Sequence, residues 1–125
     1  MFTNNTFSQS VEMVDANIFK QLADAGEGII IDVRTPDEYT RGHIANSTLI
    51  NYYDKNFINK INLMQKTKPV YVYCLSGARS SAACKKFSKN GFNKVYNLQG
   101  GTMAWTKAGF SLVSESNASS NSVCS

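Results

Sequence analysis

Residues 70–80 read VYVYCLSGARS, and this stretch decides how the rest of the chain is interpreted. Its first part, Val70–Tyr73, contains only β-branched and aromatic residues, which is typical of a strand buried in a sheet. Cys74 follows this strand directly, and a helical pattern runs from about Ser80 to Asn90. The stretch therefore predicts a strand, a short loop that begins with a cysteine, and a helix.

The rest of the chain alternates short apolar runs with helical patterns, as expected of a parallel sheet with crossover helices. Four further strands are predicted, at Val11–Met13, Gly28–Val33, Ser47–Ile50 and Val95–Leu98. Four further helices are predicted: one capped by Asp15 and ended by Gly26, one that starts at Thr35-Pro36, one capped by Asp54, and one after Gly100-Gly101. We therefore predict one α/β domain over residues 10–110, an N-terminal extension over 1–9, and a disordered Ser/Asn-rich tail over 111–125.

The composition agrees with one ordinary globular domain, because 42% of the 125 residues are hydrophobic and 18% are charged. The three cysteines, Cys74, Cys84 and Cys124, are an odd number and show no CxxC spacing. Together with the single histidine, His43, they do not supply the ligands of a conventional zinc site. A secreted fold held by disulfides is therefore not expected, and at least one cysteine is a free thiol.

No targeting or membrane segment is visible in the sequence. Residues 1–10 are polar and lack the basic and apolar regions of a signal peptide. The longest uncharged apolar-rich run, Val70–Leu75, is far shorter than a membrane span. We therefore expect no membrane association and a cytoplasmic location.

The net charge of +4 conceals an uneven distribution along the chain. Residues 1–54 carry three basic and eight acidic side chains, whereas residues 55–125 carry ten basic and one acidic. A nucleic acid partner is not expected, because the lysines are spread over several predicted elements without an arginine-rich stripe. Two interpretations stay open: a solvated lysine surface, or an electric field that attracts small anions.

The loop after Cys74 has the features of an anion-binding turn. In open parallel sheets, ligands bind beyond the carboxyl ends of the strands. A tight turn into a helix directs backbone N–H groups and the helix N-terminus towards one point, which lowers the pKa of a thiol there. Gly77 permits the curvature, and Arg79 adds a fixed positive charge. The alternative is that Cys74 is a small buried apolar residue, but the order of strand, cysteine, glycine and arginine favours a reactive thiol.

Four motifs together resemble the single-domain rhodanese family of sulfurtransferases, over residues from about Val11 to Phe110. The motifs are Asp32-Val33-Arg34 with Glu38-Tyr39; Gly42-His43-Ile44; Cys74-x-x-Gly77-x-Arg79-Ser80; and Gly91-Phe92 through Val95-Tyr96-Asn97-Leu98 to Gly100-Gly101 and Trp105. The resemblance implies a three-layer α/β/α domain with a five-stranded parallel sheet. One departure is visible, since the family often continues Gly-His-Ile with Pro-Gly-Ala, whereas this chain has Ala45-Asn46-Ser47.

The resemblance also implies a chemistry. Cys74 would attack a sulfane sulfur donor such as thiosulfate, become a persulfide, and pass the sulfur to an acceptor such as cyanide or a thiol, without a metal or organic cofactor. The implied substrate-binding residues are those of the loop, Leu75, Ser76, Gly77, Ala78 and Arg79, and the implied supporting residues are Asp32, Arg34 and Glu38. A second interpretation stays open, in which the chain is a sulfur carrier or binding module that exchanges persulfide sulfur with a partner protein.

The loop length argues against a phosphatase. Rhodanese-fold phosphatases resemble this domain but have a longer loop between cysteine and arginine, whereas only four residues, Leu75–Ala78, intervene here. The shorter loop predicts a tighter ring of N–H groups, which suits one sulfur atom better than a tetrahedral phosphate.

The remaining candidate residues have structural interpretations. Either Glu38 or Asp32 is expected to pair with Arg79 and hold the loop. His43 is expected to be a hydrogen-bonded scaffold residue, and Cys84 a buried residue of the helix after the loop. Cys124 lies in the predicted tail.

Overall fold

The computed structural model describes residues 11–114, and five parallel strands form its sheet. The strands are β1 (Val11–Val14), β2 (Ile29–Asp32), β3 (Thr48–Leu49), β4 (Val70–Tyr73) and β5 (Val95–Leu98). Their order across the sheet is β1-β5-β4-β2-β3. The predicted five-stranded parallel sheet is confirmed.

Helices cover both faces of the sheet. Those of the described residues are α1 (Ala16–Ala25), α2 (Pro36–Arg41), α3 (Phe57–Asn62), α4 (Ala78–Lys89) and α5 (Gly101–Lys107). Side chains of α1 and α5 share one buried cluster with the sheet, and side chains of α3 and α4 share the other. This arrangement is the predicted three-layer α/β/α architecture. None of these helices is long and apolar enough to cross a membrane.

Strand β4 is the most deeply placed element of the fold, with all four of its residues buried. Val70 and Val72 join the cluster on the α3/α4 face, while Tyr71 and Tyr73 join the cluster on the α1/α5 face. Burial of one such apolar side chain stabilises the fold by about 1.5–3 kcal/mol. The strand that leads into Cys74 is therefore held from both sides, and this fixes where the loop begins.

Two helices start where their capping residues predict, and α1 also ends where its glycine predicts. The Asp15 carboxylate accepts a hydrogen bond from the Ile18 N–H at 2.9 Å, and Gly26 ends α1 with a left-handed φ of 71°. In α2, the side chains of Thr35 and Glu38 form a reciprocal capping box, with proline at the first helical position. This capping box places the Glu38 carboxylate at a defined point beside the sheet edge.

Two helix starts differ from the prediction. Helix α4 begins at Ala78 and not at Ser80, because Gly77 takes a φ of 116° and turns the chain into the helix earlier. Helix α3 begins at Phe57, and Asp54 does not cap it. The Asp54 carboxylate instead accepts a hydrogen bond from the Asn56 N–H at 2.8 Å, which forms a turn before the helix.

The folded part extends beyond the predicted boundary at residue 110. His43 and Val113 exchange two backbone hydrogen bonds of 2.8 Å, and the Trp105 indole N–H donates to the Ser111 carbonyl at 2.9 Å. Residues 111–113 therefore pack on the domain and are not part of a tail. The predicted extension over 1–9 and the rest of the predicted tail, including Cys124, lie outside the described residues.

Candidate active site

The carboxyl ends of three neighbouring strands bring the site together. β4 leads into Cys74, β2 leads into Arg34, and β5 leads into the start of α5. Because all strands are parallel, these connections meet at one edge of the sheet, where α/β folds place their ligands. The thiol of Cys74 lies at the floor of this edge with only 1% of the residue exposed.

The Cys74 sulfur is surrounded by hydrogen-bond donors from its own loop. The backbone N–H of Gly77 donates to Sγ at 3.1 Å, and that of Ser80 donates at 3.3 Å. The thiol in turn donates to the Ser80 hydroxyl at 3.4 Å, and that hydroxyl donates to the Gly77 carbonyl at 3.2 Å. The loop thus folds around one sulfur atom, as its length predicts.

These contacts change the ionisation of Cys74. Burial raises the pKa of the thiol, but its hydrogen bond with the Ser80 side chain and the hydrogen bonds from the N–H groups of Ser80, Gly77 and Ser76 outweigh this effect. The net result is a pKa of Cys74 below the ordinary thiol value. A lowered pKa raises the fraction of thiolate, which is the nucleophilic form of a cysteine side chain.

The N-terminus of α5 holds the loop in this shape. The N–H of Thr102 donates to the Cys74 carbonyl at 2.9 Å, and the N–H of Met103 donates to the Leu75 carbonyl at 3.2 Å. Gly101 lies so close that a Cβ atom there would be 2.4 Å from the Cys74 carbonyl oxygen. These bonds direct the first two loop carbonyls towards α5, while N–H groups further along the loop face the thiol.

Arg79 pairs with Glu38, which decides between the two predicted partners. The guanidinium donates to the two carboxylate oxygens at 2.7 and 3.0 Å. The hydrogen bond from Arg79 is the largest reason why the pKa of Glu38 falls to about 2. Since Arg79 lies in the first turn of α4 and Glu38 in α2, this pair ties the end of the loop to a second helix.

Asp32 does not reach Arg79 but forms a buried ion pair with Arg34. Arg34 Nη2 lies 2.8 Å from an Asp32 carboxylate oxygen and also donates to the Gly42 carbonyl at 2.6 Å. Asp32 is fully buried. This pair therefore joins the end of β2 to the end of α2 and supports the sheet edge without touching the sulfur.

The exposed part of the loop borders three cavities. Leu75 lines one of about 330 Å³ with Arg34 and Glu38, and Ser76 lines one of about 370 Å³ beside α5. Ala78 lines a third, of about 420 Å³, which follows α4. The site is therefore open to ligands along several directions although the sulfur itself is deeply placed.

His43 and Cys84 have the contacts that their structural interpretations predict. His43 is 2.8 Å from the Tyr39 carbonyl through Nδ1, and its ring stacks on the Tyr39 ring at 3.7 Å. Cys84 is fully buried in α4, and burial raises the pKa of its thiol to about 12. The turn after His43 contains a left-handed residue, Asn46, with a φ of 69°, which asparagine tolerates better than most residues.

No group of three His, Cys, Asp or Glu side chains within residues 11–114 could hold a metal ion.

Two parts of the site were missed by sequence reasoning. Ser80 was placed at the start of the helix and not among the site residues, although its hydroxyl and its N–H both contact the sulfur. The contribution of Gly101 and Thr102 was also missed. The spacing of Ser80 from Cys74 could have indicated the role of Ser80. The role of Gly101 and Thr102 depends on a contact between distant segments, which no local pattern reveals.

Comparisons with known proteins agree on one family. A family model described as a rhodanese-like domain matches residues 15–108. A sulfurtransferase from Allochromatium vinosum is 31% identical over 102 residues, which cover 82% of this chain and 94% of the relative. Thiosulfate sulfurtransferase 18 of Arabidopsis thaliana is 30% identical, with 90% and 91% covered. The solved structure of a rhodanese-related protein from Thermoplasma volcanium superposes with a TM-score of 0.74 at 29% identity, covering 83% of this chain and 99% of that one.

Proposed function

The chain belongs to the rhodanese-like domain family, and from that premise we propose that it is a sulfurtransferase that moves sulfane sulfur from thiosulfate to a thiophilic acceptor through a persulfide on Cys74. One observation carries the proposal. The Cys74 sulfur lies at the floor of a loop with two backbone N–H groups and the Ser80 hydroxyl around it. These donors stabilise a negative charge on sulfur, which both the resting thiolate and the persulfide carry.

The first step loads the sulfur. The Cys74 thiolate attacks the outer sulfur of thiosulfate and forms a new S–S bond. The old S–S bond of thiosulfate breaks, and sulfite leaves with its electron pair. The ten basic side chains of residues 55–125 favour the approach of this dianion.

The second step releases the sulfur. Cyanide or a thiolate attacks the terminal sulfur of the persulfide, the bond to Cys74 Sγ breaks, and the Cys74 thiolate is regenerated. The product is thiocyanate or a new persulfide. Because the donor product leaves before the acceptor reacts, ping-pong kinetics are expected.

The Ser80 hydroxyl is proposed to change its hydrogen-bond direction when the Cys74 thiol loses its proton. With a neutral thiol, Cys74 donates to Ser80 Oγ, and the hydroxyl hydrogen goes to the Gly77 carbonyl. When the thiol ionises, the hydroxyl rotates and donates to Sγ. The first-turn N–H groups of Ala78 and Arg79 have no partner within α4, so they are proposed to receive the terminal sulfur or the donor's oxygens.

The Arg79 contacts argue against phosphate transfer. A phosphatase arginine binds the transferred phosphate through two parallel N–H groups. Here both terminal nitrogens of Arg79 are bound to Glu38. Arg79 is therefore proposed to position the loop and to contribute a fixed field, while the backbone binds the sulfur.

The test is a thiosulfate and cyanide assay of the wild type, Cys74→Ser and Cys84→Ala. We expect thiocyanate formation by the wild type and by Cys84→Ala, the matched cysteine control, and none above background by Cys74→Ser. A wild type no faster than Cys74→Ser would refute the turnover function. In that case, a mass gain of one sulfur on Cys74 after thiosulfate treatment would support the alternative, a sulfur carrier for a partner protein.

A further inference from the structure

We propose that a groove along α4 is the docking site for an acidic, extended peptide segment that presents the acceptor cysteine of a partner protein. The inference rests on the proposed function and deepens it by naming the acceptor class. The groove has a volume of about 420 Å³ and is called the lysine groove here. Its lining residues are Tyr52, Ala78, Ser81, Ala82, Lys85, Lys86 and Lys89.

The lysine groove begins at Ala78, directly after the loop that surrounds the sulfur, and follows α4 away from it. Ala78 and Ser81 belong to the first turn of α4, next to the residues that hold Cys74. Its floor there consists of small side chains, so a ligand can lie close to the helix. At a rise of about 1.5 Å per residue, Lys85 lies about 10 Å from Ala78 along the axis, and Lys89 about 16 Å.

Within residues 11–114, the cations of the lysine groove form no ion pair with an acidic side chain. Lys85 and Lys89 are exposed, and no ion pair of residues 11–114 includes Lys85, Lys86 or Lys89. Residues 55–114 contain no Asp or Glu at all. Asp54, the acidic residue nearest to Tyr52 in the sequence, pairs with Lys60.

This arrangement has a cost that an acidic ligand would remove. Lys85 and Lys89 are four residues apart on one helix, and like charges at that spacing destabilise a helix. Lys86 lies over the Tyr52 ring at 5.8 Å from its centre, which keeps an aromatic surface at the side of the lysine groove. Carboxylates of a bound segment would relieve the repulsion, and its backbone or apolar side chains would pack on Tyr52.

The depth of the sulfur indicates the shape of the acceptor. Cys74 is only 1% exposed, so a flat protein surface cannot bring a thiol to the persulfide, whereas an extended segment can. An extended chain advances about 3.3 Å per residue. Acidic residues three and five positions from the acceptor cysteine would therefore reach Lys85 and Lys89.

The observations favour a peptide over a nucleic acid. Sulfur transfer requires a nucleophile such as a thiol, which a cysteine supplies. Among the described residues, the lining of the lysine groove includes no arginine and a single aromatic side chain, whereas single-stranded nucleic acids are bound by successive stacking aromatics. A nucleic acid ligand is therefore treated as a competing outcome of the test.

The reaction at the docked segment is a direct sulfur exchange. The peptide thiolate attacks the terminal sulfur of the Cys74 persulfide and forms a new S–S bond. The bond between that sulfur and Cys74 Sγ breaks, and its electron pair returns to Cys74 as the thiolate. The peptide leaves as a persulfide, and no oxidant or reductant is consumed.

The test measures single-turnover sulfur transfer from the loaded protein to synthetic heptapeptides. Each peptide has cysteine at position one and either two glutamates or two glutamines at positions four and six, with glycine elsewhere. The full chain is loaded with thiosulfate, freed of excess donor, and mixed with peptide at low ionic strength. The readout is the ratio of the rates for the acidic and neutral peptides, so that intrinsic thiol reactivity cancels between protein variants.

The test variant is Lys85→Glu/Lys89→Glu, and the matched control is Lys68→Glu/Lys94→Glu. The control lysines are also exposed, but they precede β4 and β5 and so lie at the opposite edge of the parallel sheet. We expect the wild type and the control to transfer sulfur to the acidic peptide about tenfold faster than to the neutral one. The test variant should lose or reverse this preference, and 0.5 M salt should abolish it in the wild type.

The outcomes separate this inference from the proposed function. If Cys74 gains no sulfur from thiosulfate, the proposed function itself fails. If the persulfide forms but the peptide ratio is near one, or falls equally in test and control variants, the lysine groove is not the docking site. If a single-stranded oligonucleotide displaces the acidic peptide at equal charge and binds more tightly, the peptide assignment is overturned in favour of a nucleic acid ligand.

Discussion

The ion pair between Glu38 and Arg79 makes a quantitative prediction about the loop. The substitution Glu38→Gln removes the charge but keeps an amide oxygen that can accept from Thr35, so the capping box of α2 survives. The change in stability caused by Glu38→Gln therefore reports on the contact between Glu38 and Arg79. This contact joins the first turn of α4 to α2 through hydrogen bonds of 2.7 and 3.0 Å.

The magnitude follows from the ionisation of Glu38. Its pKa falls from 4.5 to about 2, chiefly through the Arg79 hydrogen bond, with smaller contributions from Thr35. A shift of this size corresponds to roughly 3 kcal/mol as an upper limit. Each side chain of the pair is 20% exposed, so water screens part of the attraction. We expect Glu38→Gln to lower the free energy of unfolding by about 1–2 kcal/mol at pH 7.

The stabilisation by Glu38 is expected to decrease as the pH falls. Because the pKa of Glu38 is lower in the folded protein, its contribution is complete above the ordinary value of 4.5 and is lost as the pH falls towards 2. Urea unfolding of the wild type, Glu38→Gln, Arg79→Gln and the double variant gives the coupling energy at pH 7 and at pH 3. We expect a coupling of about 1 kcal/mol at pH 7 and a smaller one at pH 3.

Two results would refute this reasoning. Additive effects of the single substitutions would mean that the pair contributes nothing as a pair. A difference between wild type and Glu38→Gln that does not change between pH 7 and pH 3 would mean that the carboxylate charge is not what stabilises the loop.

Two further substitutions test how the sulfur is held. Ser80→Ala removes the hydroxyl at 3.4 Å from Cys74 Sγ, so the pKa of Cys74 should rise and its alkylation at neutral pH should slow about tenfold; the adjacent Ser81→Ala is the control, and equal rates in the two variants would contradict the role of Ser80. Gly101→Ala would place a Cβ 2.4 Å from the Cys74 carbonyl oxygen. We expect this substitution to lower the free energy of unfolding by at least about 2 kcal/mol and to abolish thiocyanate formation. Gly109→Ala is its control, since Gly109 also has a positive φ but no atom within 4 Å of the added Cβ; similar effects of the two would show that backbone strain, not the close approach to the loop, is responsible.

Strands buried on both faces were the part of the fold that the sequence determined best. Val70–Tyr73 and Val95–Leu98 were predicted with the bounds that the structure has. Val70–Tyr73 consists only of β-branched and aromatic residues and Val95–Leu98 begins with two of them, and such residues favour a strand. The third strand was predicted as Ser47–Ile50, but only Thr48 and Leu49 form it. It pairs with β2 alone at the edge of the sheet, so its length depends on one neighbour and not on its own residues.

The site was predictable as far as it is local in sequence. The loop, its glycine and its arginine follow one another, so their arrangement could be inferred from a strand-to-helix turn. The partner of Arg79 could not, because Glu38 and Asp32 are both acidic residues near the same sheet edge. Only the three-dimensional structure shows that the Asp32 carboxylate is already paired with the Arg34 guanidinium. The bonds from α5 to the loop were likewise inaccessible, since they depend on how closely Gly101 approaches.

The contrast between Cys74 and Cys84 shows what lowers the pKa of a buried thiol. Both residues are almost fully buried, with 1% and 0% exposed, and burial raises the pKa of both thiols. Cys84 lies inside α4, where the backbone N–H groups are already bonded within the helix. Cys74 instead faces the start of that helix, where the first N–H groups are free to meet a sulfur. The lower pKa of Cys74 therefore arises from the unsatisfied donors at the turn into α4 and not from exposure, so the fold can bury this thiol and still favour its ionisation.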